Sequence, residues 1–117
     1  MAEKIELGKS GEALVAEFLI KKGYSIIDRN WRIKGGEIDL VASTSDNVIV
    51  FIEVKTRSSE IFGHPLEAIN EAKQARLMRL ALAWLLANKK WNNPYRIDCA
   101  AVIMGTPPKI DYRAGVI

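Results

Sequence analysis

The spacing of apolar residues along the chain predicts two helices. Over residues 7–22 apolar side chains recur at helical spacing, and Gly23 ends the pattern. A second pattern of the same period covers residues 66–87. Glu12 lies at the edge of the first apolar stripe, so we expect its carboxylate to point toward the body of the protein. Lys73 lies near the middle of the second stripe. That stripe consists of Leu66, Ile69, Leu77, Leu80 and Trp84.

Short apolar or alternating segments predict strands at residues 24–29, 37–42, 48–55 and 96–104, with residues 110–112 as a candidate for a last short strand. The polar stretch at residues 43–47 predicts a hairpin between the second and third strands. The third strand is apolar on both faces as far as Glu53, which places it inside a sheet that is covered on both sides. The order α-β-β-β-α-β predicts one α/β domain over residues 1–117, with a mixed β-sheet flanked by helices.

The predicted hairpin brings charged residues together. If the chain turns at Asp46, Asp39 lies opposite Glu53 and Glu37 lies opposite Lys55, with Cβ atoms about 5 Å apart. Two neighbouring carboxylates repel each other and lose hydration when buried, and a divalent cation removes both penalties. A one-residue slip would separate these pairs, and a solvated strand end is the alternative interpretation of the same residues.

Lys55 extends this hypothesis from metal binding to catalysis. An ammonium group beside a bound metal can orient a water molecule and offset the charge of a phosphate. Asp39, Glu53 and Lys55 together therefore suggest a site that hydrolyses phosphodiesters. Taken alone, the Glu-x-Lys pattern is a weak motif.

Composition changes this picture little. Hydrophobic residues make up 49% and charged residues 26% of the chain, which is typical of a globular protein. The net charge of +3 is compatible with a nucleic-acid partner without requiring one. Cys99 lies in an apolar run and is expected to be a buried, inert thiol. Because we find neither a signal peptide nor a long apolar segment, we expect a cytoplasmic protein with no membrane partner.

Residues 36–40 (GEIDL) and 51–57 (FIEVKTR) resemble the PD-(D/E)xK superfamily of restriction-endonuclease-like and Holliday-junction-resolvase-like nucleases. More narrowly, the chain resembles the bacterial YraN-like family of that superfamily. The likeness extends over about residues 8–102 in one order. Ile38 stands where the namesake motif has a proline. The other similar segments are Gly11-Glu12 and residues 29–32 (RNWR), 62–65 (FGHP), 73–74 (KQ) and 96–98 (RID).

This resemblance implies a restriction-endonuclease-like fold and a nuclease that depends on Mg²⁺ or Mn²⁺ and acts on DNA more than on RNA. It implies that Asp39 and Glu53 bind the metal and that Lys55 is the catalytic lysine. Glu12 would be a further acidic residue near the metal. Gln74 would be a helix residue that lines the site.

Arg57, Lys73, Gln74 and Arg76 are the candidates for contact with nucleic acid. Arg57 follows Lys55 at the end of the strand and could bind a backbone phosphate. An ammonium on an apolar stripe is costly unless it borders a cleft with an anion or reaches water, and both interpretations of Lys73 stay open. We interpret Arg76 and Arg79 first as a solvated face, with phosphate contacts as the alternative.

Three other residues have less certain roles. Glu37 is either part of the motif or an ion-pair partner of Lys55. His64, the only histidine, is interpreted as a loop residue without a catalytic duty. Trp31 is interpreted as a packing residue, with stacking on an unpaired base as the alternative.

The sequence therefore favours a metal-dependent nuclease, with branched or single-stranded DNA as candidate substrates. The alternatives are a non-catalytic nucleic-acid-binding or adaptor module and a purely structural interaction protein. Clustered carboxylates repel phosphate, so their presence argues against binding alone. A homodimer is compatible with cutting a two-fold-symmetric junction, and an unidentified protein partner stays open.

Overall fold

The computed structural model describes residues 2–59 and 70–117, and side chains from residue 7 onward within these ranges. The predicted order of elements is confirmed, and the candidate last strand is present. None of the helices in these two ranges is long and apolar enough to cross a bilayer. The elements are α1 (Ala2–Lys21), β1 (Ser25–Ile33), β2 (Gly36–Ser43), β3 (Ile49–Arg57), α2 (Glu71–Ala87), β4 (Tyr95–Ile103) and β5 (Lys109–Arg113).

The five strands form one mixed sheet in the order β1-β2-β3-β4-β5. Only β3 and β4 run parallel, and α2 lies in the connection between them. The β2–β3 hairpin pairs Leu40 with Ile52 and Ser43 with Ile49. This is the register that a turn at Asp46 predicts.

The two faces of the sheet are buried under different helices. On one face Val15 and Leu19 of α1 pack against Ile52 and other strand residues. On the opposite face Leu80 and Trp84 of α2 pack against a second apolar cluster, and Trp31 packs partly against it as expected. Burial of both faces supplies most of the apolar area that stabilises so short a chain.

The second helix begins later than its apolar period predicts. Asn70 has an extended backbone, and its side-chain oxygen accepts a hydrogen bond from the backbone N–H of Lys73 at 2.9 Å. This is an N-cap, so α2 begins at Glu71, and the predicted start at residue 66 is wrong. Leu66, Ile69 and His64 lie outside the described residues.

Regular alternation in β2 is interrupted at Asp39. Leu40 packs in the cluster under α1, whereas Ile38 packs in the cluster under α2, although the two residues are only two positions apart. In a regular strand, residues with this spacing face the same side of the sheet. The strand therefore rotates about its axis at Asp39.

Candidate active site

An open cleft of about 310 Å³ lies beside the second half of β3. Among the residues that line it are Glu37, Asp39, Glu53, Lys55 and Arg76. Three of the four residues predicted to be catalytic therefore share one cavity. They come from two neighbouring strands, and α2 contributes the arginine.

Asp39 is nearly buried, with 8% of its surface exposed. Its Oδ2 atom accepts a hydrogen bond from the backbone N–H of Val54 at 2.8 Å. The paired positions of β2 and β3 stop at Leu40 and Ile52, so beyond this point the Asp39 carboxylate serves as an acceptor for β3. A side chain thus takes the place of a backbone carbonyl, which fits the rotation of β2 at the same residue.

The charge on Asp39 is poorly compensated. Burial, followed by the neighbouring carboxylate of Glu53, raises the pKa of Asp39 from 3.8 to about 7. Glu12 and Glu37 raise it further, and the hydrogen bond from Val54 acts in the opposite direction. In the parts of the chain that the structure describes, no cation forms an ion pair with this carboxylate. Perturbed carboxylates of this kind concentrate at functional sites.

Glu53 is equally buried, at 7% exposure, but it has cationic neighbours. The Nζ atom of Lys55 lies 3.4 Å from its Oε1 atom, as expected for residues two apart on one strand face. The Nη2 atom of Arg76 lies 3.9 Å from the same oxygen. The cleft therefore holds two carboxylates of unequal environment, one with cations beside it and one without.

Glu12, on α1, is not among the residues that line the cleft. The preceding residue is Gly11, where an added Cβ would lie 1.8 Å from the Oγ1 atom of Thr56 on β3, so only glycine permits this contact. Burial, followed by the charge of Glu37, raises the pKa of Glu12, and the charge of Glu53 adds to this. Glu12 is therefore electrostatically part of the acidic group.

The first half of α2 borders the cleft. Burial, followed by contact with the Lys55 amine, lowers the pKa of Lys73. Lys73 is half-buried near Lys55 but is not among the residues that line the cleft. Arg76 lies three residues after Lys73 and four before the buried Leu80, so it shares the side of the helix that faces the sheet. Arg76 thus lines the cleft and does not belong to a solvated face, whereas Arg79 is exposed.

Some predicted contacts do not form. Glu37 is paired with Arg32, whose Nε atom lies 2.7 Å from Glu37 Oε2, and not with Lys55. The reason is that β1 pairs with β2 and places Arg32 directly across from Glu37. Gln74 is half-buried in the first turn of α2 but is not among the residues that line the cleft. Arg57 lines a neighbouring cavity of about 400 Å³ that also reaches Lys55.

The fit of these residues to a divalent metal can be judged from their chemistry. Among the described residues, no three His, Cys, Asp or Glu side chains stand together as a ready ligand set. Mg²⁺, however, is commonly held by only one or two carboxylates together with water and substrate phosphate. Asp39 and Glu53 supply such a pair, and the uncompensated charge of Asp39 is what a cation would neutralise. The residues present therefore fit Mg²⁺ or Mn²⁺.

Sequence reasoning missed one residue close to this group. Asn30 lies within β1 with φ at 51°, a left-handed conformation that costs residues other than glycine about 1–2 kcal/mol. An interaction with its side chain lowers the pKa of Glu12, against the effect of burial. The tolerance of asparagine for this conformation is the only hint that the sequence offers.

The fold and the cleft define a small α/β protein with an acidic site flanked by basic residues. Residues 11–102 match the family model described as "Uncharacterised protein family UPF0102". The chain belongs to this family, which confirms its resemblance to YraN-like proteins.

Relatives match nearly the whole chain. A UPF0102 protein of Renibacterium salmoninarum is 46% identical over 118 residues, covering 99% of both chains. A UPF0102 protein of Leifsonia xyli subsp. xyli is 44% identical over 119 residues, covering 100% of both. The solved structure of Pyrococcus furiosus SfsA in complex with Ca²⁺ is 16% identical with a TM-score of 0.38, covering 95% of this chain and 63% of that one. A likeness of that degree supports no functional conclusion.

Proposed function

We propose that this protein is a nuclease of the PD-(D/E)xK type that uses Mg²⁺ or Mn²⁺ to hydrolyse phosphodiester bonds in DNA. The observation that carries the proposal is the environment of the Asp39 carboxylate. Its carboxylate is buried beside Glu53, has a pKa of about 7, and shares an open cleft with Lys55. A buried acid whose charge the protein leaves uncompensated, next to a second acid and a lysine, suits a metal-dependent hydrolase.

Hydrolysis of a phosphodiester needs stabilisation of the charge that develops on the phosphate. A divalent cation held by Asp39 and Glu53 would supply Lewis-acid chemistry at this position. The ammonium of Lys55 lies 3.4 Å from Glu53 Oε1, so it can interact with a phosphate that enters the cleft. Lys55 is thus assigned to charge stabilisation and to orienting the attacking water.

Arg76 is suited to hold the phosphate itself. Its Nε atom is buried and has no hydrogen-bond partner among the described residues, although the residue lines the cleft. The accessible part of its planar guanidinium can bind a phosphate oxygen, since 40% of the side chain is exposed. Lys73 adds positive charge beside Lys55. Arg57, in the neighbouring cavity, is placed to contact a further phosphate of the backbone.

The test is a cleavage panel on duplex, single-stranded, flap and four-way-junction DNA with Mg²⁺ or Mn²⁺, and with EDTA as the metal-free control. Cutting a two-fold-symmetric junction needs two copies of the site, so the active form on that substrate would be a homodimer. Lys55→Ala should reduce cleavage at least about a hundredfold while leaving folding and metal binding nearly intact. Lys90→Ala, an exposed lysine beyond α2, is the matched control and should cut normally.

Asp39→Asn separates catalysis from binding. It should abolish cleavage by weakening the metal site, yet DNA binding should be retained or tightened because a charge that repels phosphate has gone. Binding and cleavage are measured on the same DNA in the same buffer. If the wild type binds DNA, cuts none of the panel, and neither variant differs from it, the nuclease proposal fails and a binding or adaptor module is the better explanation.

A further inference from the structure

A second cavity adjoins the acidic cleft at the end of β3. Its volume is about 400 Å³, and it is lined by Leu7 and Gly8 of α1 and by residues 54–59, at the end of β3 and just beyond it. Val54 and Lys55 line both this cavity and the cleft. The two cavities are therefore neighbours, and a chain-like ligand can occupy both.

The two cavities differ in the charges that line them. Three carboxylates line the cleft, whereas no acidic residue of the described ranges lines the second cavity. The second cavity has two cations, Lys55 and Arg57, and the two hydroxyl residues Ser58 and Ser59. Guanidinium, ammonium and hydroxyl groups all donate hydrogen bonds to phosphate oxygens. The second cavity therefore suits an anion.

Arg57 is available to such an anion. It is partly exposed and forms no ion pair with any residue in the ranges 2–59 and 70–117. Lys55 lies two residues earlier on the same strand, so the two backbone positions are roughly 6.7 Å apart. This spacing is comparable to that between successive phosphates of an extended nucleic-acid strand. The two cations are thus spaced for two neighbouring phosphates.

We propose that the second cavity is a subsite for the phosphate next to the one in the cleft, so that the substrate is a nucleic-acid strand held at two successive phosphates across the end of β3. The inference rests on the proposed nuclease function, because the second phosphate is defined relative to the bond that is cut. A diester with a single phosphate lacks the group that this subsite binds.

Gly8 offers a way to alter the second cavity without touching the cleft. An added Cβ at Gly8 would meet no atom within 4 Å, so a side chain has room there. Gly8→Glu places a carboxylate at the cavity wall, and Gly8→Gln is its neutral counterpart. Both replace a glycine within a helix by a better helix former, so both should fold. Ala13→Glu is the matched charge control, because it lies on the same helix, is exposed, and does not line this cavity. Like Gly8→Glu, it places the new charge four residues before another glutamate.

The experiment uses the full-length protein with a single-stranded oligonucleotide and with bis(p-nitrophenyl) phosphate, which has one phosphate. Oligonucleotide binding is measured by fluorescence anisotropy in EDTA over a range of salt concentrations, and hydrolysis of both substrates is measured with Mn²⁺. Gly8→Glu and Arg57→Ala should each weaken oligonucleotide binding about tenfold, as expected for one charge-assisted hydrogen bond. Arg57→Ala should also reduce the salt dependence of log K by about 0.7, the value for one phosphate contact on a single strand. For both variants, kcat/KM should fall about ten times more on the oligonucleotide than on the small diester. Gly8→Gln and Ala13→Glu should bind the oligonucleotide nearly as well as the wild type.

The other outcomes overturn the inference. Unchanged oligonucleotide binding in Gly8→Glu and Arg57→Ala would mean that no phosphate enters the second cavity. Equal losses in Gly8→Glu and Ala13→Glu would reduce the effect to general repulsion, and equal losses on both substrates would assign the altered residues to the cleft or to folding. If the wild type hydrolyses neither substrate, the proposed function fails, and oligonucleotide binding with its salt dependence decides the inference by itself.

Discussion

Two aspartates are buried in the sheet, and the protein treats them differently. Asp98 on β4 has no exposed surface, and its carboxylate accepts hydrogen bonds from Arg96, Tyr112 and the backbone N–H of Gly115. From the described residues Asp39 accepts one hydrogen bond, from Val54, and it has other carboxylates as neighbours. Burying a charge is costly unless it is paired and hydrogen-bonded. Hydrogen bonds within the fold offset the cost of burying the Asp98 carboxylate. At Asp39 most of that cost is not offset.

The two arginines nearest these acids differ in the same way. The Nε atom of Arg96 lies 3.0 and 3.2 Å from the two oxygens of Asp98, and the same guanidinium also bonds to the hydroxyl of Tyr24. These bonds, with that to Asp98 the largest cause, raise the pKa of Arg96. Arg76, by contrast, approaches Glu53 only to 3.9 Å, and its Nε has no hydrogen-bond partner in residues 2–59 and 70–117. Burial of a charged group therefore does not by itself indicate a functional site. A buried charged group that lacks hydrogen-bond or ion-pair partners is the better indication.

Removing the compensated acid should have the largest effect on stability. Asp98→Ala leaves the Arg96 guanidinium, the Tyr112 hydroxyl and the Gly115 N–H without their acceptor, so we expect a loss of about 3–5 kcal/mol in the free energy of unfolding. Urea denaturation followed by tryptophan fluorescence measures it. Asp46→Ala, in the exposed β2–β3 turn, should change stability by less than about 0.5 kcal/mol. A loss below about 1 kcal/mol in Asp98→Ala would contradict the structural role.

Neutralising Asp39 should raise the free energy of unfolding, in contrast to the loss expected for Asp98→Ala. Asp39→Asn keeps an acceptor for Val54 N–H and removes the charge, so without metal at pH 8 we expect a gain of up to about 4 kcal/mol. The folded pKa of about 7 exceeds the ordinary 3.8, so the folded state holds a proton that the unfolded state loses. Wild-type stability therefore falls as pH rises from about 4 to 7.

Denaturation of the wild type and Asp39→Asn in EDTA at pH 4 and pH 8 measures whether the variant is more or less stable than the wild type. The gain from Asp39→Asn should be present at pH 8 and small at pH 4. Glu17→Gln, which neutralises an exposed carboxylate of α1 that does not line the cleft, is the control and should gain nothing. If Asp39→Asn destabilises the protein equally at both pH values, Asp39 resembles Asp98 and the comparison fails.

The sequence pattern of the β2–β3 hairpin was enough to predict the group around Asp39. Asp39, Glu53 and Lys55 lie on two strands joined by a short turn. The turn at Asp46 brings Asp39 near Glu53, and the period of two on β3 puts Lys55 on the same face as Glu53, so that all three line one cleft. Interactions inside a hairpin depend on few residues that are close in sequence. That is why the register and the shared site could be derived before the fold was known.

The hydrogen-bond partners of Asp98 could not be predicted from the sequence. The partners of Asp98 lie on β4, on β5 and in the segment after β5, which only the folded sheet brings together. The ion pair between Glu37 and Arg32 depends on the register of β1, for which the sequence offered no turn to count from. The rotation of β2 at Asp39 likewise arises from a bond between a side chain and a neighbouring strand.

A bound divalent cation should neutralise the charge of Asp39 and so stabilise the protein. At pH 8, Mn²⁺ at about ten times its dissociation constant should stabilise the wild type by about 1.4 kcal/mol. The effect should shrink below about pH 7, because a proton on Asp39 competes with the cation. Melting temperatures with and without Mn²⁺ measure it. Asp39→Asn should lose most of the shift, whereas a shift of the same size in that variant would place the metal elsewhere.

The smallest expected effect tests the two arginines. Arg76→Ala should weaken DNA binding and cleavage roughly fivefold, about 1 kcal/mol, because Arg76 lines the cleft and its Nε has no partner among the described residues. Arg79→Ala removes the same charge three residues away on the exposed side of α2, so it should change both by less than about twofold. Arg76→Lys keeps the charge but loses the planar donor group, and should recover only part of the loss. Fluorescence anisotropy and single-turnover cleavage on one DNA substrate measure all three variants. Equal losses in Arg76→Ala and Arg79→Ala would reduce Arg76 to general attraction for DNA, and the contrast with Arg96 would then say nothing about the substrate.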